Sequence, residues 1–219
     1  MASVGRRRAP PGGAKAPRRL KPALHIHRLK LKGQSLAAHG AAPPRVQWNI
    51  MVRLEQVLDS WKAIRADTAT AVEEFPAAEF DYKPSADVMT FGEIARHILV
   101  AGHGLTGLLL EGDDHLGGPQ FREKMARFAL LPADAAAADL ARELRASVAR
   151  RAAELAVQPP EFYSGIVTRV DGARVTRLEM LQFVKEHELT HRAQLFLYLR
   201  MKGIVPATTR RRLAMQAAR

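Results

Sequence analysis

Apolar side chains recur every three or four residues along four long stretches of the chain, which is the spacing of one face of an α-helix. The stretches span about residues 48–75, 90–110, 134–158 and 176–201. Asp134 is a potential N-cap for the third helix. The pattern therefore predicts four long amphipathic helices that bury their apolar faces against one another.

Local signals define the ends of these helices and the segments between them. The sequences Thr90-Phe91-Gly92-Glu93 and Thr176-Arg177-Leu178-Glu179 are capping boxes, which predict the starts of the second and last helices. β-Branched residues flank Asp171-Gly172, which indicates a short hairpin. Residues 121–128 have a short helical pattern, and residues 77–87 are expected to be extended. We predict a mostly α fold, a four-helix bundle with up-down-down-up or similar order and a minor β-hairpin before the last helix.

The positive charge is concentrated at the N-terminus. The net charge is +12, yet residues 1–50 hold 11 of the 34 basic residues and none of the 22 acidic ones. Residues 51–219 carry 23 basic and 22 acidic residues, so they are nearly neutral. We expect residues 1–45 to be a disordered Pro/Gly-rich extension, 46–206 to be the bundle, and 207–219 to be a basic C-terminal tail.

Three interpretations of the N-terminal extension remain open. It could be a basic arm for nucleic acid, which is the only part of the chain that suggests such a partner. It could be a transit-like leader, or upstream sequence joined in error to a gene that starts at Met51. No apolar run approaches the roughly 18 residues of a membrane span. We expect a cytoplasmic protein that does not enter the membrane and forms a homodimer through faces of the bundle.

Two histidines one helical turn apart are the main chemical feature of the sequence. His187 and His191 share one face of the last helix, so both imidazoles could reach one divalent ion. The alternative is a pair of partly exposed histidines with ordinary hydrogen bonds. Cysteine is absent, which leaves histidine and carboxylates as candidate ligands. We predict that the pair points into the bundle and binds a metal with a third ligand, His97 of the second helix.

The same segment matches the zinc-peptidase motif HExxH, in which Glu188 would be the general base. Such peptidases commonly take their third ligand downstream, but no Asp, Glu or His follows His191. A helical bundle also offers no edge strand for a peptide. A peptidase is therefore the less favoured interpretation, and we expect Glu188 to be a partly exposed carboxylate that could support a ligand histidine.

Together these motifs resemble those of the DinB/YfiT-like metal-binding superfamily. The resemblance rests on residues 91–97, which contain the helical histidine, and on His-x-x-x-His-Arg-x-Gln at residues 187–194. The segments Asp81-Tyr82-Lys83-Pro84 and Lys202-Gly203-Ile204-Val205-Pro206 are also similar to the family pattern. The resemblance covers about residues 48–206. It implies a three-histidine site for nickel, zinc or a similar divalent ion, with iron and manganese as alternatives.

The resemblance also implies two kinds of chemistry on a small-molecule substrate. Relatives include S-transferases and isomerases that use low-molecular-weight thiols, and proteins assigned as metal-dependent hydrolases. Arg192 could pair with a substrate carboxylate or form an interhelical salt bridge, and Gln194 could contact a ligand, a water or another side chain. The leading interpretation is a metal-dependent enzyme, either thiol S-transferase-like or hydrolytic. The alternative is a non-catalytic metal-binding or stress-response protein.

Overall fold

The computed structural model describes residues 52–219, so the expectations for residues 1–45 and for a start at Met51 fall outside it. The long helices are α1 (Leu54–Glu74), α2 (Phe91–Leu110), α4 (Ala137–Ala156) and α6 (Arg177–Met201). Among the described residues, no helix combines the length and apolar character that crossing a bilayer would need. The prediction of four long helices is confirmed.

Helix starts follow the capping signals where these exist. In α2 the Thr90 hydroxyl accepts a hydrogen bond from the Glu93 backbone N–H, and the Glu93 carboxylate accepts one from Thr90 N–H. Thr176 and Glu179 make the same reciprocal pair in α6. The prediction of Asp134 as the cap of α4 is wrong. The chain first makes a turn, closed by a 3.1 Å hydrogen bond from Ala135 N–H to the Pro132 carbonyl, and α4 starts later.

Shorter elements connect and extend the bundle. They are α3 (Phe121–Ala126), α5 (Pro160–Ser164), α7 (Ala207–Ala217) and the antiparallel strands β1 (Ile166–Thr168) and β2 (Arg174–Thr176). The predicted hairpin is confirmed, and Gly172 adopts the positive φ of 81° that its turn requires. A 3₁₀ turn at Ala77–Glu79 lies in the loop expected to be extended. Residues 207–217, predicted as a tail, are helical and contact α1.

The four long helices form a ring in which each packs against two neighbours. Helix α1 packs against α4 and α6, and α2 packs against the same two helices from the opposite corner. One apolar cluster joins the N-terminal halves of α1 and α6 to the C-terminal halves of α2 and α4. The other cluster joins the remaining halves. Helices α1 and α6 therefore run one way and α2 and α4 the other, which is the up-down-down-up order.

A buried polar layer lies between the two apolar clusters. Arg65 of α1 and Glu188 of α6 form an ion pair of 2.7 Å, with side chains 1% and 2% exposed. The layer also includes Trp61, Thr68 and Ser147, all of which are buried. Because burying two charges is costly unless they are paired and hydrogen-bonded, this layer constrains how α1, α4 and α6 meet. It also fixes the rotation of α6, which decides where its histidines face.

Candidate metal centre

Three histidine side chains meet on one side of the bundle, where α2 packs against α6. His97 lies in α2, and His187 and His191 occupy successive turns of α6. The Nε2 atoms of His97 and His191 lie 3.1 and 3.2 Å from Nε2 of His187. One ring nitrogen of each histidine lies within 4.8 Å of the other two. The fold thus brings together the three histidines predicted from the sequence as metal ligands.

The spacing of these nitrogen atoms fits a shared divalent ion. Two imidazole ligands at about 2.0–2.1 Å from one ion, at ligand–metal–ligand angles between about 90° and tetrahedral, lie about 2.8–3.4 Å apart. The two Nε2 distances from His187 fall inside that range. Three neutral nitrogen donors suit zinc, nickel or iron better than calcium, magnesium or manganese, which prefer oxygen ligands. The described residues therefore offer a donor set that could hold such an ion.

A neighbouring amide orients one of the rings. Nδ1 of His191 lies 2.7 Å from Oε1 of Gln194. The amide oxygen can only accept a hydrogen bond, so the proton of His191 is on Nδ1 and the lone pair is on Nε2. That is the tautomer a metal ligand needs at the atom nearest the other two rings. Gln194 thus contacts a candidate ligand and not the space where a substrate would bind.

The histidines face the side of the bundle and not its core, contrary to the expectation that the α6 pair points inward. His97 is exposed, and His187 and His191 are partly buried. Partial desolvation and the nearby His191 lower the pKa of His97. Burial and the two neighbouring rings lower the pKa of His187 to about 4, against the opposing effect of Glu188. Both rings are therefore neutral at pH 7, as metal ligands must be.

A large pocket opens beside the histidine cluster. Its volume is about 860 Å³, and His97 and His187 form part of its wall. Most of the remaining lining is apolar and comes from α2, α3 and α6, including Leu105, Phe121, Met125, Met180 and Phe183. A cavity of this size and polarity is typical of sites that bind small molecules.

The hairpin, predicted from the sequence as a minor addition to the bundle, also lines this pocket. Arg169, Val170 and Asp171 of its turn form one wall, and Arg122 of α3 lies on another. None of these residues was selected from the sequence. The Asp-Gly signal located the turn, but nothing in the local sequence indicates that the turn lies next to α6.

A comparison of the sequence with protein families identifies the family of the chain. The DinB family model matches residues 50–218, which include α7 and every helix of the bundle. The chain belongs to the DinB family. No curated protein has a sequence that matches this DinB chain.

Three solved structures resemble the DinB bundle. YfiT from Bacillus subtilis, described as a probable metal-dependent hydrolase with an unusual four-helix bundle topology, matches with a TM-score of 0.56 and 18% identity, over 75% of this chain and 95% of YfiT. The DinB-like protein YjoA from Bacillus subtilis matches with a TM-score of 0.53 and 24% identity, over 68% of this chain and 92% of YjoA. A mycothiol-dependent maleylpyruvate isomerase matches with a TM-score of 0.50 and 19% identity, over 66% of this chain and 61% of the isomerase. These likenesses establish the fold.

Glu188 has a different environment from the one expected. It is buried on the α1 side of α6, and its carboxylate accepts hydrogen bonds from Arg65 Nε at 2.7 Å, Trp61 Nε1 at 2.8 Å and the Thr68 hydroxyl at 3.0 Å. Adjacent residues on a helix point about 100° apart. In this DinB bundle that angle turns His187 towards α2 and Glu188 towards α1. The expectation of a partly exposed carboxylate is wrong, and Glu188 is not aimed at the histidines as a peptidase base would be.

Arg192 also lies away from the pocket. Its guanidinium pairs with Asp67 of α1 at 3.3 Å, and the other oxygen of Asp67 pairs with Arg211 of α7 at 2.6 Å. Of the two roles considered for Arg192, the structure shows the interhelical salt bridge. A substrate carboxylate in the pocket would need a different cation.

The remaining described histidines do not join the cluster. His103 is buried on another face of α2, and its Nε2 lies 3.1 Å from Nη2 of Arg151. His115 is exposed in the loop after α2, and its Nδ1 lies 3.0 Å from the Gly117 carbonyl. His25, His27 and His39 lie outside the described residues.

Proposed function

We propose that His97, His187 and His191 bind one divalent metal ion, and that the protein is a metal-dependent enzyme acting on a small molecule in the adjoining pocket. The observation that carries the proposal is the convergence of three Nε2 atoms beside an 860 Å³ cavity whose wall includes His97 and His187. The Nε2 atoms of His97 and His191 lie 3.1 and 3.2 Å from that of His187. The metal-dependent description of YfiT supports the same chemistry. Zinc and nickel are the ions we expect first, with iron and manganese as alternatives.

The residues of the chain have separate roles in this proposal. His187 and His191 form a rigid pair on one helix, and His97 supplies the ligand that joins α6 to α2. Gln194 holds His191 in the tautomer that leaves Nε2 free. A divalent ion with three neutral ligands keeps its full charge, so it would act as a Lewis acid towards an oxygen or sulfur atom. The apolar pocket would exclude water and orient the substrate beside the ion.

Two reaction types follow from this arrangement. Thiol S-transfer or isomerisation would use a low-molecular-weight thiol, because the chain has no cysteine of its own. The similarity to a mycothiol-dependent isomerase favours this reaction. Hydrolysis of a small molecule is the second candidate, and it is favoured by the description of YfiT. Cytoplasmic location, a homodimer and a nucleic-acid partner for the N-terminal extension stay predictions.

Metal content and activity test the proposal in two steps. Purified protein incubated with zinc or nickel and then desalted should retain about one ion per chain by elemental analysis, and His97→Ala, His187→Ala and His191→Ala should each lose it. The exposed loop residue provides the control, since His115→Ala should keep the ion. Retention of the ion by all three alanine variants would disprove the metal centre.

The second step separates the reactions. Metal-loaded protein is assayed with electrophiles and glutathione, bacillithiol or mycothiol, and separately with esters and amides without thiol. Turnover that requires thiol and is lost in His187→Ala identifies the transferase. Thiol-independent turnover with the same loss identifies the hydrolase. Bound metal without turnover of either kind would contradict the enzymatic proposal and favour a metal-binding or stress-response protein.

A further inference from the structure

The pocket beside the histidines has a positively charged edge. Two arginines, Arg122 and Arg169, and one acid, Asp171, line it together with many apolar side chains. Neighbouring basic residues of α3 and its C-cap are neutralised by ion pairs, Lys124 with Asp113 and Arg127 with Glu111. Within residues 52–219, no carboxylate pairs with Arg122. The charged groups of the lining therefore leave an excess positive charge in an otherwise apolar cavity.

Arg169 is held in place before any ligand arrives. Its backbone belongs to the hairpin turn, where Arg169 N–H donates to the Ala173 carbonyl and its own carbonyl accepts from Gly172 N–H, both at 2.9 Å. Its guanidinium stacks on Phe183 with its central carbon 4.0 Å from the ring centroid. Within the described part of the chain, the one hydrogen bond of this guanidinium is a 2.9 Å contact from Nη2 to Asp171. Its Nε and Nη1 groups remain available to an additional acceptor.

This cation lies close to the histidine cluster. The Phe183 ring, on which the Arg169 guanidinium stacks, lies 6.2 Å from the ring of His187, measured between ring centroids. A molecule of ordinary metabolite size can thus contact both. Its reacting atom would lie near the Nε2 atoms while an anionic group reached Arg169, and its apolar body would lie against Leu105, Met125 and Met180.

We propose that the pocket selects amphipathic anions, so that the substrate of the centre carries an apolar aromatic or aliphatic body and a carboxylate or similar acidic group. This inference rests on the proposed function for the reaction and adds the substrate class. A neutral apolar ligand would cover Arg122 and the Nε and Nη1 groups of Arg169 without giving them a hydrogen-bond acceptor, which is unfavourable. An anion pairs with Arg169 and Arg122 in an environment where such contacts are stronger than in water.

Two dyes with related aromatic frameworks test the charge preference. The probes are the anion 1-anilinonaphthalene-8-sulfonate and the neutral N-phenyl-1-naphthylamine, titrated by fluorescence into metal-free and zinc-loaded full-length protein. We expect the anion to bind more tightly, and Arg169→Gln to weaken it about tenfold while changing the neutral dye by less than about twofold. Arg122→Gln should have a smaller effect in the same direction. Arg169→Lys should restore most of the preference, because it retains the charge.

The hairpin offers a matched control. Arg174 is an exposed arginine of β2 that does not line the pocket, so Arg174→Gln removes one positive charge from the same hairpin and should leave both dyes unaffected. Ala126→Trp, at the pocket wall, should weaken both dyes. Thermal melting of each variant checks that dye binding reports the folded protein. Displacement of the anionic dye by 4-phenylbutyrate, but not by its neutral amide, would extend the result to carboxylates.

The outcomes separate this inference from the proposed function. Equal affinity for both dyes, or an equal loss for both in Arg169→Gln, would overturn the anion preference even if the histidines bind metal. Charge-selective binding in a protein that retains no metal would support the anion pocket and disprove the metal centre. Charge-selective dye binding in a protein that also retains one metal ion supports both the anion pocket and the metal centre.

Discussion

Gln194 determines which nitrogen of His191 faces the other two histidines. Its Oε1 accepts from Nδ1 at 2.7 Å, so the lone pair stays on Nε2. Replacement by leucine removes the acceptor and lets the ring adopt either tautomer. We expect Gln194→Leu to weaken zinc binding about tenfold or more, with little effect on stability because the residue is exposed. Competition with a zinc-binding dye measures the affinity. Gln182→Leu, at a partly buried amide of α6 that donates to Glu186 and contacts none of the three histidines, should not change it.

Glu188 has a structural role that its place in the HExxH segment does not suggest. Glu188→Ala leaves Arg65 buried without its counter-ion, and we expect the free energy of unfolding to fall by about 3–5 kcal/mol. Urea titration measures this change. Glu188→Ala combined with Arg65→Met removes both charges and should be less damaging than the single change, because no charge is left unpaired.

Metal binding provides the second readout for Glu188. The conservative Glu188→Gln keeps the shape of the side chain, and its folded form should still bind one ion, because the carboxylate contacts α1 residues and none of the three histidines. If Glu188→Ala had the same unfolding free energy as the wild-type protein, the result would contradict the buried ion pair. Loss of metal from a fully folded Glu188→Gln would contradict the separation of the two sites.

His103 should make the stability of the protein depend on pH. Burial, and then the neighbouring Arg151, lower the pKa of His103 to about 4 from its ordinary 6.5. In the unfolded chain His103 is protonated below about pH 6.5, whereas in the folded protein it stays neutral down to about pH 4. Stability should fall as the pH drops through this window, by about 1–3 kcal/mol from this group. Urea unfolding at pH 7 and pH 5 should show a smaller fall in His103→Gln. An equal fall in both proteins would contradict the prediction.

At the scale of the elements, the features predicted most accurately from the sequence are those that depend on interactions between neighbouring residues. The starts of α2 and α6 followed from capping boxes, in which both partners lie within four residues. The start of α4 was missed because a backbone turn precedes it and no side chain caps it. The hairpin was located from Asp171-Gly172, but its contribution to the pocket depends on contact with Phe183, a residue of another element. Local signals therefore predict where an element begins and ends, whereas its role in the site depends on contacts with residues distant in the sequence.

Helix α7 is attached to the bundle mainly through charge. None of its residues is buried, and its arginines reach α1, with Arg210 pairing with Glu74 and Arg211 with Asp67. Exposed ion pairs of this kind contribute little to stability, because water and salt screen the charges. Deletion of residues 207–219 should therefore lower the unfolding free energy by no more than about 2 kcal/mol and leave metal affinity unchanged. A loss above about 4 kcal/mol by urea titration would show that α7 has a larger role.

At the scale of the whole molecule, the position of the site depends on the rotation of α6. The four-residue spacing of His187 and His191 predicted a shared face, and His97 of the second helix was predicted as the third ligand. The sequence could not show that this face lies at the side of the bundle, because α6 packs against both α1 and α2. The Arg65–Glu188 pair turns one face of α6 to α1, and the histidines then face α2 beside the pocket. Arg192 and Glu188 were harder to assign because their partners lie more than a hundred residues away in sequence.

A metal ion bound by this triad would join two helices that are otherwise held together by packing, and this should appear in the stability of the whole molecule. Free zinc at about a thousand times its dissociation constant should add about 4 kcal/mol. For a domain of this size that raises Tm by roughly 8–16 °C. His97→Ala leaves two ligands on α6 alone, so most of the shift should disappear, while His115→Ala should retain it. Calorimetry with zinc and then with excess chelator measures the effect and its reversal. A full shift in His97→Ala would mean that zinc stabilises the protein from a site other than the α2–α6 triad.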